Sequence, residues 1–285
     1  MKNPRILITG ANGIVGRILL RELSHHNITG ISRNDADLSD FNQFVRVIDQ
    51  HSPNVLLHCA ARGGRQPAGV FNSDDLINNL QVVENISKLS HRFNRIINIG
   101  SGAEYGLSHP LVDVRESWLN NGRYPLPTDS YGLSKRISWK EFERTSSAIN
   151  VRIFGCFDKS EPDFRLLRRF VNWKTRSDGS FQLKNDRLFS WISGHDLAKV
   201  INDLIDLNDD DWRSLPKTMN VAYAETSSMT LSRFINRWCE LHGINPEYEI
   251  TGQSGTPYTC NTDLMKNTMS ITTLKGLDDC LKEYT

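Results

Sequence analysis

No stretch of this 285-residue chain is apolar for long enough to span a bilayer, so no membrane helix is expected. The opening Met1-Lys2-Asn3-Pro4-Arg5 leads into only a few apolar residues, too few for the core of a signal peptide. Cysteine pairs of the C-x-x-C kind and the H-E-x-x-H pattern are both missing, and no resident metal is expected. The five cysteines (Cys59, Cys156, Cys239, Cys260, Cys280) are odd in number and scattered, as reduced thiols of a cytoplasmic protein would be. A surplus of one charge is missing too: 34 basic side chains face 33 acidic ones, a formal net charge of +1. That balance offers no global field for nucleic acid or a membrane surface. The local run Arg165-Leu166-Leu167-Arg168-Arg169 reads as the solvated face of a helix. Neither repeats nor low-complexity tracts interrupt the chain.

What is present is alternation. Arg5-Ile6-Leu7-Ile8-Thr9 is a short apolar run followed by glycine, the form of a buried parallel strand. Apolar residues at helical spacing follow over residues 14–23. The two signals recur as strands over 28–32, 54–60, 95–100 and 150–154, and as helices over 41–50, 75–93 and 130–147. This β-α-β pattern predicts an α/β Rossmann fold, a doubly wound parallel sheet with ligands at the carboxyl ends of its strands. After about residue 155 the pattern loosens into a helix over 164–173, strand-like stretches between 181 and 192, and an amphipathic helix over 231–241. The expected division is a dinucleotide-binding domain over 1–155, with about 186–206 threading back into it, and a smaller substrate lobe over 156–285.

Gly10-Ala11-Asn12-Gly13-Ile14-Val15-Gly16 lies where the first strand turns into the first helix. Backbone around Gly10, Asn12, Gly13, Ile14 and Gly16 would there meet a pyrophosphate, glycines letting its oxygens approach. At the end of the second strand, Ile31-Ser32-Arg33-Asn34 carries no acid before Asp35. An acid would take a free ribose 2′-hydroxyl, whereas an arginine suits a 2′-phosphate. Arg33 therefore favours NADP, with NAD as the open alternative. Asp37 and Leu38 follow within reach of the adenine edge.

Tyr131 and Lys135 stand four apart on the helix predicted over 130–147, on one face. A neighbouring ammonium stabilises a phenolate, so the pair predicts a tyrosine drawn down from its ordinary pKa of about 10. Such a tyrosine can give a proton to a carbonyl oxygen as hydride moves at the carbon. Ser101, closing the strand Ile96-Ile97-Asn98-Ile99-Gly100, would set a second hydroxyl at that oxygen. The tyrosine–lysine spacing is common by chance. With Ser101 and the glycine turn in register, it predicts an oxidoreductase that moves hydride between a nicotinamide dinucleotide and a carbinol or ketone.

At these residues the chain resembles the extended short-chain dehydrogenase/reductase family, NAD-dependent epimerase/dehydratase type, in its nucleotide-sugar branch. The resemblance covers most of residues 5–200. It rests on the glycine turn, on His58-Cys59-Ala60-Ala61, on Asn79 and Asn85, and on Gly100-Ser101-Gly102-Ala103-Glu104-Tyr105-Gly106. Tyr131-Gly132-Leu133-Ser134-Lys135 and Arg187-Leu188-Phe189-Ser190-Trp191-Ile192-Ser193-Gly194-His195-Asp196 complete it. It implies catalytic roles for Ser101, Tyr131 and Lys135, with Lys135 also holding the nicotinamide ribose. It puts Ala60, Ala61 and Asn79 at the cofactor, Arg187 on a substrate diphosphate, and Glu104 and Tyr105 beside the substrate. Family members commonly pair through the helices read here over 79–93 and 131–147, which implies a homodimer.

Departures from the family pattern narrow the reaction. Its 4,6-dehydratases carry an Asp-Glu pair just after the catalytic hydroxyl residue, where Gly102 and Ala103 stand here. The fucose-synthase group epimerises with a cysteine two positions after the serine, the place of Ala103. Gly155 replaces the family's substrate asparagine. The link Asp37-Leu38-Ser39-Asp40 and the run Leu166-Leu167-Arg168-Arg169-Phe170 resemble the 4-keto-6-deoxy-sugar reductases. The expected reaction is NAD(P)-dependent reduction of a keto group, at C4, on a nucleotide-diphosphate sugar. A C4 epimerase that retains NAD and a non-catalytic, cofactor-binding regulator are the rival readings. His195 reads as a capping residue, and Trp173, Trp191 and Trp212 as core.

Overall fold

The computed structural model describes residues 3–64, 70–176, 180–269 and 274–285. The first half runs β1 (Arg5–Thr9), α1 (Ile14–Glu22), β2 (Asn27–Ile31), α2 (Phe41–His51), β3 (Val55–His58), α3 (Ser73–Lys88) and β4 (Arg95–Ser101). It continues through β5 (Leu111–Val114), α4 (Ser117–Asn120), α5 (Ser130–Glu143) and β6 (Ala148–Ile153). Next come β7 (Gly155–Phe157), α6 (Leu166–Arg176), β8 (Phe181–Leu183), β9 (Trp191–Ser193), α7 (Gly194–Asp206), α8 (Asp209–Ser214) and β10 (Thr218–Val221). The chain ends with α9 (Leu231–Leu241), β11 (Tyr248–Ile250), β12 (Tyr258–Cys260), α10 (Asp263–Thr268) and α11 (Leu277–Lys282).

Six strands form one parallel sheet in the order β10-β6-β4-β3-β1-β2. Side chains alternate across it as the two-residue period of a strand requires. Ile6 and Ile8 face the core under α1 and α7, whereas Leu7 faces the core under α2 and α3. Both faces are covered, which is why these strands read as unbroken apolar runs. After β2 the chain crosses β1 to place β3 on its other side, so the carboxyl ends of β1 and β3 border the crevice where such sheets bind ligands.

Side-chain caps start the helices that flank the site. The Asp40 carboxylate accepts from the amides of Asn42 and Gln43 at α2, and Asp129 accepts from Gly132 N (2.7 Å) at α5. By contrast, α1 begins at Gly13 with no side-chain cap, leaving its first amides free for a ligand.

The second half does not stay apart from the sheet. α7 packs on α1, and β10 joins the sheet edge beside β6. Three parallel two-stranded ladders, β5 with β12, β7 with β9 and β8 with β11, tie C-terminal segments to the rest. Among the described residues no helix is long and apolar enough to cross a membrane, and no group of metal-ligating side chains gathers.

Candidate active site

The glycine turn is dictated by sterics. Gly10 has φ +71°, and an added Cβ would lie 2.7 Å from Ala60 Cα. A Cβ on Gly16 would lie 2.2 Å from the Gly10 carbonyl oxygen, so α1 can sit this close to the turn only without a side chain there. Thr9 Oγ1 meets His58 Nδ1 (2.8 Å), locking the ends of β1 and β3 together behind the turn. Burial, reinforced by the Lys135 charge, lowers the His58 pKa to about 3, so the imidazole is neutral.

Along the crevice, Arg33 is exposed and makes no hydrogen bond or ion pair with a described residue. The nearest acid, Asp35, is turned back onto the Ser32 amide (2.8 Å) and hydroxyl (2.7 Å). Asp37 accepts from Ser39, while Leu38 is buried and its carbonyl is held by Asn85 Nδ2 (2.9 Å). Ala60 is half-buried and Ala61 exposed. Asn79 departs from its expected part as a cofactor ligand. Its Oδ1 accepts from Arg62 N (2.8 Å), and its Nδ2 donates to Arg62 O and Ser134 Oγ, so it shapes the loop after β3.

Ser101, Tyr131, Ala103, Phe154 and Tyr258 line a cleft of about 300 Å³ that reaches the α1 N-terminus at Ile14 and Val15. Lys135 lies buried below and donates to the Ile99 carbonyl (2.7 Å), with its Nζ 6.0 Å from the Tyr131 ring centre. Burial pushes the Tyr131 phenol above its ordinary value. Glu104 and Asp129 push the same way, while the Ser101 hydroxyl stabilises the phenolate. Burial likewise lowers the Lys135 pKa. The expected drawing-down of Tyr131 by Lys135 is therefore not met in this structure: burial is the largest influence on the phenol, and the Lys135 ammonium is held on the Ile99 carbonyl instead.

Two residues expected at the substrate are elsewhere. Glu104 is fully buried, pairs with Arg152 (2.6 Å) and accepts from the Ser101 amide (2.9 Å), so it holds the end of β4. Tyr105 is fully buried and donates to the Arg115 carbonyl (3.1 Å). Arg187 is placed differently from these two. It is half-buried with its guanidinium 5.0 Å from the Phe189 ring centre, and its side chain has no hydrogen bond or ion pair among the described residues. Burial lowers its pKa, and an approaching anion would relieve that cost.

The two departures from the family pattern have steric causes. A side chain at Gly155 would meet Phe189 (2.4 Å) and Trp191 (2.7 Å), which fill that space. One at Gly102 would meet the Phe154 ring (2.5 Å) and the Tyr258 hydroxyl (2.6 Å). Burial raises Cys156, at the cleft wall, to about 12, so its thiol stays protonated. His195 is exposed beside Glu22 (3.0 Å), and Trp191 and Trp212 are core, as expected.

The NAD dependent epimerase/dehydratase family matches residues 6–160, more than half of the chain. The chain belongs to this family. GDP-L-colitose synthase of Yersinia pseudotuberculosis is 26% identical over 54% of each chain. Methionine adenosyltransferase 2 subunit beta of Pongo abelii is 26% identical over 56% of this chain and 50% of the relative. The matches thus span about half the length of these relatives. The solved structure of dTDP-4-dehydrorhamnose reductase from Bacillus anthracis with NADP superposes over 100% of this chain and 98% of that one. Its TM-score is 0.75 at 17% identity, a likeness of fold.

In this member of the epimerase/dehydratase family Ser101 ends β4, Tyr131 and Lys135 lie on α5, and Ser101 and Tyr131 line the same cleft. Tyr258 and Phe154 were not foreseen. Tyr258 lies more than 90 residues from every other residue of the cleft, in a segment with no periodic signal.

Proposed function

We propose that this protein is an NADP-linked reductase of a keto group, at C4, on a nucleotide-diphosphate sugar. The observation that carries the reading is the pair of hydroxyls, Ser101 and Tyr131, on one cleft wall with Lys135 buried beneath. The residues fit the cofactor: Gly10 and Gly16 form a cradle that any Cβ would fill, and Arg33, a cation unpaired among the described residues, stands where a 2′-phosphate would lie. When bound, the reduced nicotinamide supplies the hydride. The turn at Gly13, whose own amide is held by the Gly10 carbonyl, would set the α1 amides from Ile14 onward at the pyrophosphate, and Lys135 would hold the nicotinamide ribose. Tyr131 gives its proton to the ketone oxygen, Ser101 donates a hydrogen bond to the same oxygen, and Arg187 receives the diphosphate. The lack of room at Gly102 speaks against a dehydratase acid there, and the protonated Cys156 thiol against a cysteine base.

In this reading residues 1–155 bind the dinucleotide with help from 186–206, and the remainder of 156–285 closes over the sugar. Five free cysteines suit a reducing cytoplasm. α3 and α5 pack side by side and expose Ile77 and Ile137, which supports a homodimer through those helices. Light scattering is expected to give twice the chain mass, and a monomer would refute the dimer.

The test of the reaction is loss of reduced-nicotinamide absorbance with a panel of nucleotide-linked 4-keto-6-deoxy sugars. Stoichiometric NADPH consumption with one of them is the expected result. Tyr131→Phe should cut turnover by about 10²–10⁴-fold while leaving NADPH binding intact. No consumption, with NAD co-purifying and nucleotide sugars interconverted, would replace this reading by the epimerase. Cofactor binding without any turnover would replace it by a binding role, such as the name of the methionine adenosyltransferase subunit suggests.

A further inference from the structure

We infer that Arg165 is a phosphate-binding residue of the cleft, presented from the start of α6 to a diphosphate of the dinucleotide or of the substrate. The inference deepens the reductase reading above and rests on it for the ligand.

The sequence places Arg165 in a run expected to form the solvated face of a helix. The structure turns this first arginine of the run inward. Arg165 immediately precedes α6, is half-buried, and borders the cleft together with Cys156 and with Ile14 and Val15 of α1. Among the described residues that line the cleft it is the one cation. The one carboxylate there, Asp129, is spent on the cap of α5 (2.7 Å).

Both the backbone and the head of Arg165 are fixed. Its amide donates to the Pro162 carbonyl (2.9 Å), and its carbonyl accepts from Arg169 N (2.8 Å). Nη2 donates to the Cys156 carbonyl (2.7 Å), and Nε pairs with Glu161 (3.5 Å). Glu161 is itself buried and accepts from the Tyr284 hydroxyl (2.6 Å) and the Arg168 amide (3.3 Å). The same loop is tied to α1, because Asp158 accepts from two nitrogens of Arg21 (2.7 and 3.1 Å). Arg165 therefore holds a set place relative to the helix whose uncapped first turn borders the same cleft.

The donor count shows what that head can still do. A guanidinium carries five N–H donors in a planar fork. Cys156 and Glu161 engage two of them, and Nη1 has no partner among the described residues. Such a fork matches the oxygens of a phosphate. A head already aligned by protein contacts also loses less freedom when the anion arrives.

The full chain is titrated by calorimetry with inorganic pyrophosphate and, separately, with NADPH. Circular dichroism checks the fold of each variant. Arg165→Gln should weaken pyrophosphate binding about tenfold or more. Lys159→Gln, which removes an exposed cation outside the cleft, should leave it unchanged. A matching loss of NADPH affinity assigns Arg165 to the dinucleotide. Unchanged NADPH affinity with a raised KM for the sugar assigns it to the substrate. Arg165→Met, closer to the arginine stem in shape, serves if the Gln variant does not fold. Equal pyrophosphate affinity in parent and folded Arg165 variant, an equal loss in Lys159→Gln, or no binding by the parent would overturn the inference. A parent that reduces no sugar would sink the proposed function yet leave the pyrophosphate titration readable.

Discussion

In the proposed function a single side chain, Arg33, sets cofactor choice. It stands exposed at the end of β2, and the acid that could serve a free 2′-hydroxyl is engaged with Ser32. Charge-assisted hydrogen bonds to a phosphate contribute about 1.5–3 kcal/mol, or roughly 10- to 100-fold in affinity. Arg33→Ser should therefore lower the NADPH-over-NADH preference in kcat/KM by about that factor. Equal ratios for variant and parent would remove Arg33 from the 2′-phosphate. The place of Arg33 just after a strand was legible in the sequence. The burial of Glu104 and Tyr105 was not, because neighbours in sequence at a strand end point in different directions. Only the packing of β4 against Asn150 and Arg152 shows which way each one goes.

At the scale of elements, the turn after β4 decides where the Ser101 hydroxyl lies. Ser101 and Glu104 form a reciprocal cap, the serine oxygen accepting from Ala103 N and the Glu104 carboxylate from Ser101 N. Arg152 on β6 grips that carboxylate through two nitrogens (2.6 and 2.8 Å), with neither side chain exposed. Removing one partner strands a buried charge, at a cost of about 3–5 kcal/mol. Arg152→Met should lower the urea midpoint accordingly, and Glu104→Gln in the same chain should restore much of the loss. An Arg152→Met protein as stable as its parent would show that the pair does not hold this turn. The strands of the first half of the sheet could be read from periodicity, whereas the caps at Asp40 and Asp129 were seen only in the structure. β10 could not be read this way: Thr218-Met219-Asn220-Val221 is short, and the buried Asn220 side chain is satisfied from distant segments, its Nδ2 donating to the Val114 carbonyl and its Oδ1 accepting from Arg152.

For the whole molecule, the neutral His58 between β1 and α5 couples stability to pH. Its pKa falls from 6.5 to about 3 on burial, so between those values the unfolded chain binds the extra proton. This contribution is complete above pH 6.5 and is lost progressively as pH falls toward 3. At pH 5 the loss is about 2 kcal/mol. Urea midpoints of the parent should therefore drop between pH 7 and pH 5, and those of His58→Gln should drop less. Parallel pH dependence in the two proteins would assign the acid sensitivity to other groups.

Residues 5–155 determined by themselves the order of strands and helices, the glycine turn and the serine–tyrosine–lysine set. Those signals are local: apolar period, turn sterics and the four-residue spacing of one helix face. Tertiary structure alone decided that β10 completes the sheet and that Phe189 and Trp191 fill the place of a side chain at Gly155. It alone brought Tyr258 from β12 into the cleft that Ser101 lines. Those facts depend on distant segments meeting, and no window of sequence carries the packing that joins them.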